Sequence, residues 1–250
     1  MKFLSTFAFG ALGALGMLAV DTAHAAETTD LAVGGTLRPS ACNISVAARS
    51  SGGSRIDYGT VDLSRLFPVG TDFLGMPDDQ VQVSVSCNAG MQVGIGVTDG
   101  RSGTAASGLD TAIAENYMGI TPVAGATFGL GTTANDTAIG GYYLHLAPQD
   151  GMVQIGSMPA GALRADGGGA WVPLPSDGGN NANRVMLPTG TRLHTWAPIS
   201  RDGTVGTTPA TVTTATMNYE IFPAIRSAAQ LPLTGQINLD GLATFTLHYL

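Results

Sequence analysis

Lysine is all but missing from this sequence. Of 250 residues only Lys2 is a lysine, and every other basic residue is an arginine. Beyond that position the chain offers no amine for isopeptide cross-linking or for Schiff-base chemistry. Charge of either sign is sparse, at 12%, and the balance is acidic, with a formal net charge of −7. No basic patch exists to bind nucleic acid or an anionic lipid surface. No GxSxG elbow, HExxH helix, P-loop or GxGxxG fingerprint occurs. Beyond the leader the histidines are His145, His194 and His248, each inside a strand-like segment. A triad assembled from these and scattered Ser and Asp would be available in any sequence of this length. The expectation is a non-enzyme with no cofactor and no metal. Trp171 and Trp196 could line a sugar-binding patch, although tryptophans in such segments are more often packed.

Helix signals are also scarce. The one weak candidate spans residues 109–118 and supports about one turn. What is present is strand and turn material: 35 glycines and a hydrophobic fraction of 44%, too apolar for a disordered chain. Apolar alternation marks Val81, Val83, Val85 and Cys87, then Val93, Ile95 and Val97. Asn88-Ala89-Gly90 between them reads as a turn, which would join the two runs as a hairpin. Further strand candidates lie near residues 55–63 and at 139–147, 151–156, 184–188, 192–198, 211–224 and 242–250. Residues 100–109 and 161–183 read as long loops. Short strands spaced by Gly, Pro, Asn and Asp point to an all-β sandwich or barrel.

The amino terminus reads as a secretory leader. Met1-Lys2 is a short positive start, residues 3–20 are apolar or small, and Ala23-His24-Ala25 is a small-x-small cleavage site. Residues 1–25 are therefore assigned as a signal peptide, with an uncleaved anchor as the alternative. No later stretch could cross a bilayer as a helix. Removing the leader takes away Lys2 and Asp21, so the net charge is unchanged. In an exported chain the two cysteines, Cys42 and Cys87, suggest one disulfide rather than two free thiols. They lie 45 positions apart, and closing such a loop is worth about 4 kcal/mol on chain entropy.

Residues 31–42 read LAVGGTLRPSAC. Leu31, Val33, Gly35 and Leu37 share one face of a strand, and Pro39 stops the ladder because it has no N–H. Taken alone this is an ordinary first strand. At the other end of the sequence Ala243, Phe245, Leu247 and Tyr249 alternate in the same way up to Leu250. As a last strand this segment would leave an apolar edge open to another chain.

These features together resemble a subunit of the chaperone–usher pili of Gram-negative bacteria. They are the leader, the alternating extension with glycine at its third inward position, the cysteine five residues after Leu37, the second cysteine closing a strand, and the ending ATFTLHYL with its penultimate tyrosine. Residues 57–103 resemble a less characterised, fimbrial-like branch of that family, whereas residues 104–210 match loosely or not at all. The resemblance implies an immunoglobulin-like β-sandwich lacking its final strand and completed by donor-strand exchange. Residues 26–41 would be the donor-strand extension and residues 42–250 the sandwich domain, with enlarged loops. Leu31, Val33, Gly35 and Leu37 would be the inserted positions. Ala243, Phe245, Leu247 and Tyr249 would form the strand against which a periplasmic pilus chaperone pairs, with Leu250 as its anchor. An outer-membrane usher would then exchange the chaperone for the next subunit, giving a homo- or hetero-polymeric fimbrium at the cell surface that supports adhesion or biofilm. Terminal adhesins of this class generally lack a donor extension, so a shaft or adaptor position is implied.

Two other readings remain open on the sequence. An outer-membrane barrel would end on an aromatic at the last position, but here the tyrosine is one residue out of register. A self-complete secreted β-sandwich binding module, recognising carbohydrate through residues 161–198, would need no partner strand.

Overall fold

Alternation of apolar with polar or small residues builds two antiparallel sheets. Residues 41–147, 151–174, 182–231 and 235–250 are described in this computed structural model, and they fall within one compact unit, Pro39–Leu250. The signal peptide and the extension positions Leu31, Val33, Gly35 and Leu37 lie outside the described residues.

The first sheet is ordered β1 (Cys42–Ala48), β4 (Asp79–Met91), β13 (Val212–Arg226), β3 (Phe73–Gly75) and β2 (Phe67–Val69). On its other side β13 pairs with β7 (Gly140–Leu146) and β8 (Val153–Ile155), which carry the short strands β6 (Phe128–Gly129) and β9 (Met158–Pro159). The second sheet runs β11 (Val172–Leu174), β10 (Gly161–Asp166), β12 (Arg192–Ala197), β5 (Val93–Asp99) and β14 (Ala243–Tyr249).

The long strand β13 organises the first sheet. Its residues Val212–Ile221 pair with β4 and Ala224–Arg226 with β3. Pro223 sits at that changeover, where the missing N–H interrupts no rung, and its carbonyl accepts from the Met76 N–H at 3.0 Å. Every second residue of β4 and β13 points between the sheets: Val81, Val83, Val85 and Cys87, then Ala215, Met217, Tyr219 and Ile221. They meet Val93, Ile95 and Val97 of β5 and the fully buried Trp196 of β12. A second, smaller core lies against β3, β7 and β13. Leu109, Ala112, Ile113 and Ala114 pack there with Val69, Phe73, Tyr143 and Ala224. Strand β7 is therefore buried on both faces, as expected of a strand sandwiched between layers. Its Gly141 is required by that packing, since a Cβ there would lie 2.3 Å from Thr127 Cγ2.

Four sequence expectations are corrected. The runs at 81–87 and 93–97 are not a hairpin: β4 continues through Asn88-Ala89-Gly90 to Met91, which pairs with Val212, and β5 belongs to the other sheet. The chain there crosses between layers, and a turn signal does not specify which sheet the next strand joins. Residues 161–183 contain β10 and β11, because pairing with β12 overrides a glycine-rich composition. Near 184–188 a 3₁₀ turn, Ala182–Arg184, and one isolated bridge, His145–Val185, replace the expected strand. The helical segment is longer than one turn, with Leu109–Thr111 running into a wide π-type turn, Ala112–Met118. In addition, residues 55–61 belong to no strand, the chain turning at Gly59 (φ 59°) and bending at Thr60, although Ile56, Tyr58 and Val61 pack on the main core.

Candidate functional site: an open strand position between β1 and β14

Strand β14 follows the expected alternation and is placed by β5, with register Ala243–Asp99 through Tyr249–Val93. Two bonds fix the phase of this ladder: the Leu250 N–H donates to the Gln92 carbonyl at 3.0 Å, and the Gly100 N–H to the Leu242 carbonyl at 2.7 Å. The even-numbered residues thus exchange bonds with β5. The odd-numbered residues turn their backbone groups to the opposite edge. Among the described residues no strand pairs with that edge. The odd residues are also the ones whose side chains face inward. Ala243, Phe245 and Leu247 are half-buried against the main core, and Tyr249 and Leu250 are about half exposed.

Strand β1 repeats this arrangement on the other sheet. Among the described residues it pairs with β4 alone, from Cys42–Cys87 to Ala48–Val81. The bonds from the Asn88 N–H to the Ala41 carbonyl and from the Arg49 N–H to the Gln80 carbonyl fix its phase. The odd residues bond β4, and Cys42, Ile44, Val46 and Ala48 turn their N–H and C=O groups outward. Cys42, Ile44 and Val46 are half-buried against the same core. The disulfide Cys42–Cys87 joins the two strands across a non-hydrogen-bonded pair with a Cα separation of 4.0 Å. At one end of this edge the Ala48 N–H is taken by the Gly53 carbonyl at 2.6 Å. At the other, the Cys42 N–H donates to the Tyr249 hydroxyl at 3.1 Å, reaching from one sheet to the other.

The result, among the described residues, is an apolar seam flanked by two strand edges that no further strand pairs with. Ile44 and Val46 line one wall and Ala243, Phe245 and Leu247 the other. A single added strand could pair with either edge and cover these side chains. Of the residues singled out in the sequence, Cys42, Cys87, Ala243, Phe245, Leu247, Tyr249 and Leu250 fall on this seam or at its ends. Ile44 and Val46 were not singled out, although the alternation in CNISVAA carried the signal.

The histidines are structural in setting. His194 is fully buried and stacked on Tyr219 at 5.9 Å, with Nδ1 3.3 Å from the Tyr219 hydroxyl. Burial above all, and then the charges of Arg192, Arg184, His145 and Arg164, hold it neutral, its pKa well below the ordinary range. His145 Nδ1 lies 3.6 Å from Glu220. His248 lies on the outer face of β14, over Gly96. Trp196 is 0% exposed and its indole N–H donates to the Thr216 carbonyl at 2.9 Å, so it is packed rather than presented; Trp171 is half-buried. No group of three or more His, Cys, Asp or Glu suited to a metal occurs among the described residues. No helix among them is long and apolar enough to cross a membrane. Elsewhere, a cavity of about 250 Å³ is lined by Asp72, Phe73, Asn116 and Arg226 among others. Gln230 bridges its charged groups, donating to Asp72 at 2.7 Å and accepting from Arg226 at 2.6 Å.

Residues 31–143 match a family described as "Protein of unknown function (DUF1120)". The match covers less than half of the chain. It runs as far as Tyr143 in β7. No curated protein matches the chain significantly.

Proposed function

We propose that this chain is a structural subunit of a chaperone–usher surface fimbria, polymerising without covalent bonds by donor-strand complementation. In this reading the two sheets form an immunoglobulin-like sandwich that lacks its final strand. The seam between β1 and β14 receives the extension of a second subunit, through Leu31, Val33, Gly35 and Leu37. Before assembly a periplasmic chaperone holds the same seam, pairing with Ala243, Phe245, Leu247 and Tyr249, and an outer-membrane usher exchanges the two. The observation that carries the reading is that the residues of β1 and β14 with free backbone groups are also those with half-buried apolar side chains. The leader and the disulfide suit export to the cell surface.

The test is thermal. One chain lacks residues 26–37; the other has the same deletion and carries a copy of residues 30–39 fused after Leu250 through a short flexible linker. Three inserted apolar side chains contribute about 1.5–3 kcal/mol each. For a domain of this size that corresponds to a rise in melting temperature of roughly 10–30 °C. Equal melting temperatures in two well-folded proteins would mean the sandwich is already complete.

A second reading, a self-complete secreted binding module, has the cavity at Asp72 and Arg226 in its favour. Asp72 and Arg226, bridged by Gln230, and the Asn116 amide suit the hydroxyls of a neutral sugar. This reading needs no partner strand, so the same melting comparison separates it from the first.

A further inference from the structure

We infer that the Tyr249 hydroxyl is a latch on the open strand position. It occupies the Cys42 N–H, which the backbone carbonyl of a strand pairing along β1 must take, so the last rung on that edge forms only when Tyr249 is displaced. This inference rests on the donor-strand reading and adds a specific competitor to it.

Four observations converge. First, the Cys42 N–H is on the free edge of β1, as the phase of the β1–β4 ladder requires. Second, that N–H cannot swing away to find another partner, because Cys42 is held by its disulfide to Cys87 and by its place in the ladder. Third, its partner in this state is the Tyr249 hydroxyl at 3.1 Å, a side-chain oxygen standing where a strand carbonyl would stand. Fourth, Tyr249 is 51% exposed, so its ring is free to leave by side-chain rotation without opening the core. Of the free-edge donors of β1, Ala48 is closed by its own turn and Cys42 by Tyr249. Ile44 and Val46 have no partner among the described residues.

The latch sits on a residue whose backbone also belongs to the seam. Tyr249 turns its own N–H and C=O to the open edge of β14. One residue therefore offers the entering strand a rung with its backbone while its side chain withholds the neighbouring rung on β1. The empty seam is spared an unsatisfied donor at its disulfide end, and the entering strand must compete for it.

The experiment uses the chain from residue 38 to Leu250, the same deletion as in the melting comparison, so that no extension fills the seam, and a fluorescently labelled synthetic peptide of residues 30–39. Association is followed by anisotropy for the unaltered chain and for Tyr249→Phe, which removes the hydroxyl and keeps the ring. Loss of one such bond should speed peptide association by about two- to tenfold. Equal association rates in both chains would overturn the latch while leaving the donor-strand reading in place. A peptide that binds neither chain overturns both. Should Tyr249→Phe fold poorly, the unaltered chain supplies the second readout. A nuclear Overhauser contact between the Tyr249 ring and the Cys42 amide should be present in the empty chain and lost when the peptide binds. Its persistence in the bound state would equally overturn the latch.

Discussion

The ring of Phe245 in β14 lies 6.0 Å from that of Tyr219 in β13, tilted by 59°, and so links the edge strand of one sheet to the central strand of the other. Tyr219 is fully buried, whereas Phe245 is half-buried. Phe245 therefore has one side in the core and one side on the seam. Phe245→Ala should destabilise the empty chain by about 1.5–3 kcal/mol, below the range for a fully buried phenylalanine. The chain carrying its own fused donor strand should lose more, because there the second side is covered as well. Urea midpoints of the two pairs of proteins check this. Equal losses in both would mean that Phe245 takes no part in receiving a strand.

The bridge Cys42–Cys87 fixes the start of β1 to the end of the alternating run in β4, closing a loop of 45 positions. Cys42→Ser combined with Cys87→Ser should cost about 3–4 kcal/mol, on the entropy of that loop. It should also lower the yield recovered from periplasm sharply. The same change releases the β1 edge, so chaperone co-purification should fall along with stability. Unchanged yield and chaperone binding would show that β1 is held by its ladder to β4 without help from the disulfide.

Asp110 ties the helical segment to the chain that returns from it. Its carboxylate accepts from the Gly125 N–H at 2.8 Å, from the Thr127 N–H at 3.0 Å and from the Thr127 hydroxyl. The Tyr143 hydroxyl donates to the Asp110 carbonyl at 3.1 Å. Asp110→Ala strands the buried Thr127 donors, leaves the Tyr143 bond to the backbone carbonyl in place, and should cost about 2–3 kcal/mol. Because this packing is on the far face of the first sheet, the rise in melting temperature on fusing a donor strand should be unaffected. A loss of that rise in Asp110→Ala would mean that the two faces of the sheet are coupled.

Strands whose own residues set their facing were legible. Val81, Val83 and Val85, and Ala243, Phe245 and Leu247, alternate because one face is apolar, and each run became a strand with that face inward. Partner choice was not legible. Asn88-Ala89-Gly90 looks like a reversal, but whether β5 returns beside β4 or joins Leu247 and Phe245 depends on contacts about 150 positions away. The helical segment was nearly invisible, since Asp110 and Thr111 are weak helix formers. It is held by burying Leu109, Ala112 and Ile113 on a sheet whose outer face the local sequence does not reveal. The seam itself was half legible. The β14 wall showed in the final alternation, but β1, with Ile44 and Val46, was missed although CNISVAA alternates, and nothing local says that a neighbour is missing.

His194 gives the protein a pH dependence whose sign is fixed by its burial. The ring is fully buried against Tyr219 and held neutral, its pKa well below the ordinary histidine range. In the unfolded chain it protonates normally, near pH 6.5. The unfolded state then binds more protons than the folded one, so stability falls as the pH drops below that value. The contribution is fully present above about pH 6.5. It is lost at a rate of up to about 1.4 kcal/mol per pH unit until the folded-state ring itself protonates. Between pH 6.5 and 5, before most carboxylates titrate, the unaltered chain should lose stability steadily. His194→Phe keeps a ring beside Tyr219 and removes the titrating group, so its stability should be nearly flat over that interval. Chemical denaturation at a series of pH values measures both slopes. The same slope in His194→Phe would assign the acid sensitivity to another group.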